Sequence, residues 1–164
     1  MTTFKLVLEY DGTQYAGWQR QPNVPTIQAT VEEALAAIAQ TKLTLVGAGR
    51  TDAGVHALGQ VASFRTERGL SQREWLRALN AHLPPDISAL SVEAVSDTFH
   101  ARYSAKGKLY EYHLMNRSER APLLRARSWM LYKPLDYAAM AEAATALTGT
   151  HDFSSFETAP TDND

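Results

Sequence analysis

The chain has no cysteine among its 164 residues, so neither disulfides nor thiolate metal sites can hold its fold. It has no apolar run near the roughly 18 residues that a membrane-spanning helix needs, and its first residues do not have the pattern of a signal peptide. We therefore expect a cytoplasmic protein without a membrane partner. Hydrophobic residues make up 45% of the sequence, which is ample for a buried core.

The sequence also has little net charge, −2 at neutral pH, but that charge is unevenly distributed. Residues 100–133 contain eight Lys or Arg against Glu111 and Glu119, a net charge of +6. Residues 134–164 contain six acids and neither Lys nor Arg. A basic band of this kind can follow a phosphate backbone, although a solvated charged surface is the alternative interpretation.

Glycines are scarce but concentrated around one candidate site, the run VGAGRTDAGVHA at residues 46–57. Gly47, Gly49 and Gly54 allow the backbone to approach a ligand or another segment closely. Between them lie a guanidinium, Arg50, and a carboxylate, Asp52. Strand-like runs flank this stretch, so a rigid sheet would present one acid beside one permanent cation. Catalytic carboxylates are commonly displayed on loops of this kind.

Two nucleotide-binding interpretations of this loop fail. The dinucleotide fingerprint requires G-x-G-x-x-G at the start of a helix, whereas here Asp52 takes the place of the third glycine and a strand follows. The phosphate-binding loop requires Gly-Lys-Ser/Thr, which is absent. A tight turn that holds Arg50 and Asp52 as an exposed ion pair stays open on residue chemistry alone.

Apolar periodicity predicts an α+β fold with a ferredoxin-like order, β-α-β-β-α-β, and a mostly antiparallel sheet. Thr26 is a candidate N-cap for the first helix, and Ser71 with Glu74 fits a capping box for the second, which runs to about His82. The predicted strands are residues 4–10, 43–46, 60–66 and 87–95. We assign residues 1–105 to this first domain.

Residues 106–164 look like the start of a second, incomplete unit. We predict a strand over residues 109–115 and a helix that follows Asp136 and ends near Gly149. Residues 158–164 form a polar tail.

Three stretches together resemble the motifs of the tRNA pseudouridine synthase A family. They are LEYDGTQYAGWQRQ (residues 8–21), GRTDAGVHA (residues 49–57), and FHARYSA followed by KLYEY (residues 99–105 and 108–112). The resemblance implies the pseudouridine synthase fold, with two such units forming one long sheet and an active cleft between them. We therefore expect that this chain carries the first unit and only the opening part of the second.

The resemblance also implies a function: conversion of uridine to pseudouridine in the anticodon stem-loop of tRNA, by a homodimer when full length. No cofactor and no metal are implied, since no atoms enter or leave. Asp52 matches the catalytic aspartate, which either attacks the ribose C1′ or removes a ribose proton. Tyr110 matches the tyrosine that stacks on the target uracil. Arg50 either pairs with Asp52 or fills the space left by the flipped base and holds phosphates.

Four further basic residues are candidate RNA contacts: Arg20, Arg102, Lys106 and Lys108. Two other functions compete with the isomerase. A ferredoxin-like module could bind RNA without chemistry, and the short chain is expected to be inactive by itself. An aspartate-based phosphoryl-transfer enzyme would need clustered acids for Mg²⁺, and only Asp52 lies near the loop.

Overall fold

A computed structural model describes residues 1–156 of the chain, which divides into two compact units, the second beginning at Tyr110. The polar tail predicted over residues 158–164 lies outside the described residues. None of the helices in the described part is long and apolar enough to cross a bilayer.

The first unit is a four-stranded sheet with two helices. Its elements are β1 (Thr2–Tyr10), α1 (Ile27–Ala39), β2 (Val46–Gly47), β3 (Ala57–Thr66), α2 (Gln72–His82) and β4 (Ile87–Val95), with a short 3-10 helix at Gly12–Gln14. The strand order is β2-β3-β1-β4, and every pairing is antiparallel. The predicted ferredoxin-like α+β fold is therefore confirmed.

Strand β1 is an internal strand that pairs with β3 on one side and β4 on the other, and its alternate residues are apolar on one face. Phe4, Leu6, Leu8 and Tyr10 are all buried there. The helices cover this face, and an aromatic cluster joins α2 to it. The ring of Phe64 lies 5.4 Å from that of Phe4 and 5.1 Å from that of Trp75 on α2.

Both helices begin where their capping residues predicted. The Thr26 side chain accepts a hydrogen bond from the Ala29 N–H at the start of α1. At the start of α2, the Ser71 hydroxyl accepts from the Glu74 N–H and the Glu74 carboxylate accepts from the Ser71 N–H, which is a complete capping box. These bonds satisfy backbone donors that the first turn of a helix leaves without partners.

The second predicted strand, residues 43–46, is wrong in its bounds, because only Val46–Gly47 pairs with β3. Leu45 is buried, yet its backbone bonds to side chains of α1 instead of to a strand. Its N–H donates to Glu32 Oε1 at 3.0 Å and its carbonyl accepts from Gln28 Nε2 at 2.9 Å. These two contacts replace the ladder that the apolar run predicted.

The second unit contains β5 (Leu114–Asn116), β6 (Trp129–Leu131) and α3 (Tyr137–Ala146). Strands β5 and β6 are parallel and pair over three residues each. Asp136 caps α3, as predicted, by accepting from the Ala139 N–H. The predicted strand over residues 109–115 is wrong for its first five residues. Among the described residues none of the five is assigned to a strand, although the His113 carbonyl accepts from the Trp129 N–H at 2.8 Å, and Leu109 and Tyr112 are exposed.

Candidate active site

Asp52 lies on the connection between β2 and β3, here called the Asp52 loop (residues 48–56). Its first residues are anchored on β3: the Ala48 N–H donates to the Val61 carbonyl at 2.8 Å, and Gln60 Nε2 donates to the Gly49 carbonyl at 2.7 Å. The sheet therefore fixes the position at which the loop begins.

A second segment holds the middle of the Asp52 loop. This segment, here called the first loop (residues 11–18), follows β1. The Trp18 N–H donates to the Thr51 carbonyl at 2.9 Å, and the Tyr15 carbonyl accepts from the Gly54 N–H at 3.2 Å. The Tyr10 hydroxyl and the Thr51 hydroxyl share a hydrogen bond of 2.9 Å. Hydrogen bonds to the first loop and its neighbour Tyr10 thus hold Thr51, which precedes Asp52, and Gly54, which lies two residues after it.

Three glycines make this contact between the loops possible. A Cβ on Gly12 would lie 2.0 Å from the Val55 carbonyl oxygen, and one on Gly17 would lie 2.7 Å from the Thr51 carbonyl oxygen. Gly17 also has a φ of 100°, which other residues rarely adopt. A Cβ on Gly47 would lie 2.7 Å from the indole of Trp18. The first two sequence motifs are therefore complementary surfaces of one structure.

The aromatic residues of the first loop belong to the core. Trp18 is 2% exposed and Tyr15 is 9% exposed, so packing, and not base stacking, is the role that their burial supports. The Tyr15 hydroxyl donates to Asp86 Oδ1 at 2.9 Å. Burial, together with the neighbouring Asp86 carboxylate, raises the pKa of Tyr15 to about 12.

Asp52 itself is exposed at the tip of this frame. Its carbonyl accepts from the Val55 N–H at 3.2 Å, which closes a turn with Gly54 at its third position and a φ of 79°. Arg50, two residues earlier on the same loop, is also exposed. The turn directs a carboxylate toward solvent while its backbone stays held.

His56, the last residue of the Asp52 loop, contacts the start of the first loop. Its Nδ1 lies 3.1 Å from the Gly12 nitrogen, from which it can accept a hydrogen bond, and 3.1 Å from Asp11 Oδ1. The imidazole therefore joins the end of the Asp52 loop to the start of the first loop.

The other residues singled out in the sequence have different surroundings. Arg20 donates two hydrogen bonds to Glu32 Oε2 on α1, at 2.9 and 2.8 Å. These contacts support a role for Arg20 in attaching the segment after the first loop to α1. Arg102 and Lys106 are exposed. Lys108 lies against Gly49 of the Asp52 loop. Tyr110 is 64% exposed, belongs to the second unit and lies outside any strand.

Sequence reasoning missed the residues that connect the two loops, among them Gly12, Gly17 and the Tyr10–Thr51 pair. Their only signal was the recurrence of small and aromatic residues after β1. Residues 1–156 hold no group of three or more His, Cys, Asp or Glu suited to a metal ion.

Comparison with known proteins identifies the family to which this chain is similar. A family model described as tRNA pseudouridine synthase matches residues 6–104, which include the first loop and the whole Asp52 loop. The chain belongs to this family. The resemblance stated from the sequence motifs is thereby confirmed.

Three relatives show how far the similarity extends, and each is called tRNA pseudouridine synthase A. The protein of Geobacter sulfurreducens is 50% identical over 97% of this chain. That of Myxococcus xanthus is 45% identical over 97% of it, and that of Acetivibrio thermocellus is 47% identical over 95% of it. The chain in turn spans 65%, 60% and 64% of their lengths.

Proposed function

We propose that this chain carries the catalytic loop of an enzyme that converts uridine to pseudouridine in tRNA. The observation that carries the proposal is the Asp52 loop, in which an exposed carboxylate stands on a turn held by both β3 and the first loop. The family membership and the names of the relatives support tRNA as the substrate. The family resemblance further supports the anticodon stem-loop as target, a homodimer and a cytoplasmic location.

In this proposal the uracil is detached from its ribose at N1, rotated, and rejoined to it through C5. A stacked base is out of reach of Asp52, so the nucleotide must first flip out of its helix at a cost of a few kcal/mol. The carboxylate then either attacks the ribose C1′ or removes a ribose proton. The fixed backbone on both sides of Asp52 serves either step, since the position of the carboxylate is set before the substrate binds.

Arg50 and Tyr110 are the proposed substrate-binding residues. The exposed guanidinium of Arg50 suits the space left by the flipped base and the adjoining phosphates, because its planar fork can donate two hydrogen bonds at once. The exposed ring of Tyr110 offers a flat face on which a uracil can stack. Arg102 and Lys106 are the proposed contacts to more distant phosphates.

The replacement Asp52→Asn tests the assignment, because it removes the charge and keeps the volume. We expect turnover to be lost while tRNA still binds. The measurement is tritium release from tRNA labelled at uracil C5, since joining C5 to the ribose displaces that hydrogen. The chain would be joined to the part of the Geobacter relative that it does not cover, and the 164-residue chain would be assayed beside it.

The control for that experiment is Asp97→Asn, since Asp97 contacts Thr3, at the opposite end of β1 from the Tyr10 hydroxyl that bonds to the Asp52 loop. Activity of the Asp52→Asn protein within about tenfold of the parent, some 1.4 kcal/mol in barrier height, would rule out the proposed role. Binding of tRNA without tritium release by the parent protein would favour the rival function, an RNA-binding module without chemistry.

Tyr110 is tested by a pair of replacements in the same joined protein. Tyr110→Phe keeps the ring and is expected to keep tRNA affinity. Tyr110→Leu removes the ring and is expected to weaken affinity and turnover, since stacking of a base on an aromatic side chain contributes roughly 1–3 kcal/mol. Normal turnover by the Leu protein would show that Tyr110 does not stack on the substrate.

A further inference from the structure

The side chain of Lys108 crosses the Asp52 loop at Gly49. A Cβ placed on Gly49 would lie 2.6 Å from Lys108 Nζ and 2.7 Å from its Cε, closer than real Cβ atoms approach other atoms. The three nearest atoms to that position all belong to Lys108, the third being Cδ at 3.7 Å. Both residues belong to the first unit, so this contact lies within one compact body.

This contact defines what a side chain at residue 49 would meet. Gly49 is not among the residues with positive φ, unlike Gly17 and Gly54, so its backbone conformation suits other residues as well. The obstacle to a side chain there is the lysine. Because the far end of a lysine is flexible, an added methyl group would displace the ammonium without straining the backbone.

The place at which Lys108 crosses the loop is fixed. The Gly49 carbonyl is held by Gln60, and the neighbouring Ala48 N–H is held by the Val61 carbonyl. The ammonium therefore lies against Gly49, which is one residue before Arg50 and three residues before Asp52 in the sequence. Within residues 1–156 it forms no salt bridge with a carboxylate. Its charge is thus directed to the loop and not neutralised by a neighbouring acid.

We propose that Lys108 docks on Gly49 in order to hold a backbone phosphate of the RNA beside the catalytic loop. The inference rests on the proposed function for its substrate, and it adds a specific substrate-binding residue and the reason for its position. An ammonium is a compact donor that suits a single phosphate, whereas the adjacent Arg50 fork suits two acceptors.

A double-mutant cycle tests the coupling between the two residues. The measurement is the affinity of the 164-residue chain for a fluorescent, unmodified tRNA transcript at low salt. Gly49→Ala and Lys108→Met are each expected to weaken binding several-fold. In the protein that carries both changes, Gly49→Ala should add no further loss, because the side chain that it displaces is already gone.

Two matched controls accompany the cycle. Gly69→Ala adds a methyl group where no atom lies within 4 Å and is expected to leave affinity unchanged. Lys42→Met removes the same charge near Thr66, at the opposite end of β3 from the Asp52 loop. In that background Gly49→Ala should keep its full effect. Melting temperatures of the Gly49 and Gly69 variants should match that of the parent.

Salt dependence separates a phosphate contact from a merely structural role. Each phosphate contact contributes about 0.9 to the slope of log affinity against log salt concentration. Lys108→Met should lower that slope by about one, so its deficit should shrink about threefold between 50 and 200 mM salt. An unchanged slope, or additive losses in the cycle, would overturn the proposal.

The outcome is separable from that of the proposed function. Coupled losses in the cycle with no tritium release in any form of the enzyme would support Lys108 as a phosphate contact and refute the isomerase. Additive losses in the cycle, together with an active parent enzyme and an inactive Asp52→Asn enzyme, would refute Lys108 as a phosphate contact and support the isomerase. A parent chain that binds no tRNA at any salt concentration would overturn the Lys108 proposal alone, because the isomerase is judged on turnover by the joined protein.

Discussion

At the scale of single residues, Gly12 is the position at which the smallest change should disturb the candidate site most. A methyl group there would lie 2.0 Å from the Val55 carbonyl oxygen, and backbone occupies both sides of the contact. The first loop and the Asp52 loop would have to separate. We expect Gly12→Ala to lower the free energy of unfolding by about 1–3 kcal/mol, as overpacked sites do, when measured by urea denaturation.

The matched replacement for this measurement is again Gly69→Ala, which meets no atom within 4 Å and should stay within about 0.5 kcal/mol of the parent. Equal stability of the two variants would contradict the close packing of the loops. Turnover in the joined protein should also fall for Gly12→Ala, because Asp52 would lose the frame that positions it.

Residues also mark the limit of what the sequence could predict about the site. Asp52 stands out because a charged pair between glycines is unusual in a loop after a strand. Its partners do not, since the contacts of Gly12 and Gly17 join motifs that are some 35–45 residues apart. The approach of Lys108 to Gly49 spans an even longer separation. Such contacts depend on the completed sheet, which brings the end of β1 beside the start of β3.

At the scale of elements, prediction succeeded where local signals and long-range packing agree. Helix α1 begins after its predicted N-cap, helix α2 begins and ends where predicted, and strand β4 has the predicted bounds. Failures occurred where an apolar run found other partners or none. Leu45 is buried by helix side chains, and Leu109 lies in an extended run without a ladder. Alternation alone predicts a strand only if a neighbouring strand is present to pair with it.

At the scale of the whole molecule, stability is concentrated in the first unit. Among the buried hydrophobic residues of the described part, all except Ala121 lie within residues 1–109. That unit has a four-stranded sheet, two capped helices and the aromatic cluster around Phe64. A core of this size is sufficient for an independently folding domain.

We therefore expect a polypeptide of residues 1–109 to fold alone, with the Asp52 loop in its native frame. Its free energy of unfolding should be roughly 5 kcal/mol or more, as is usual for domains of this length. Both of its tryptophans, Trp18 and Trp75, are buried, so their fluorescence reports the unfolding of the core directly. A single urea transition that coincides by fluorescence and circular dichroism is the expected result. A gradual loss of both signals would show instead that the first unit depends on the rest of the chain, and that the Asp52 loop is organised only in its presence.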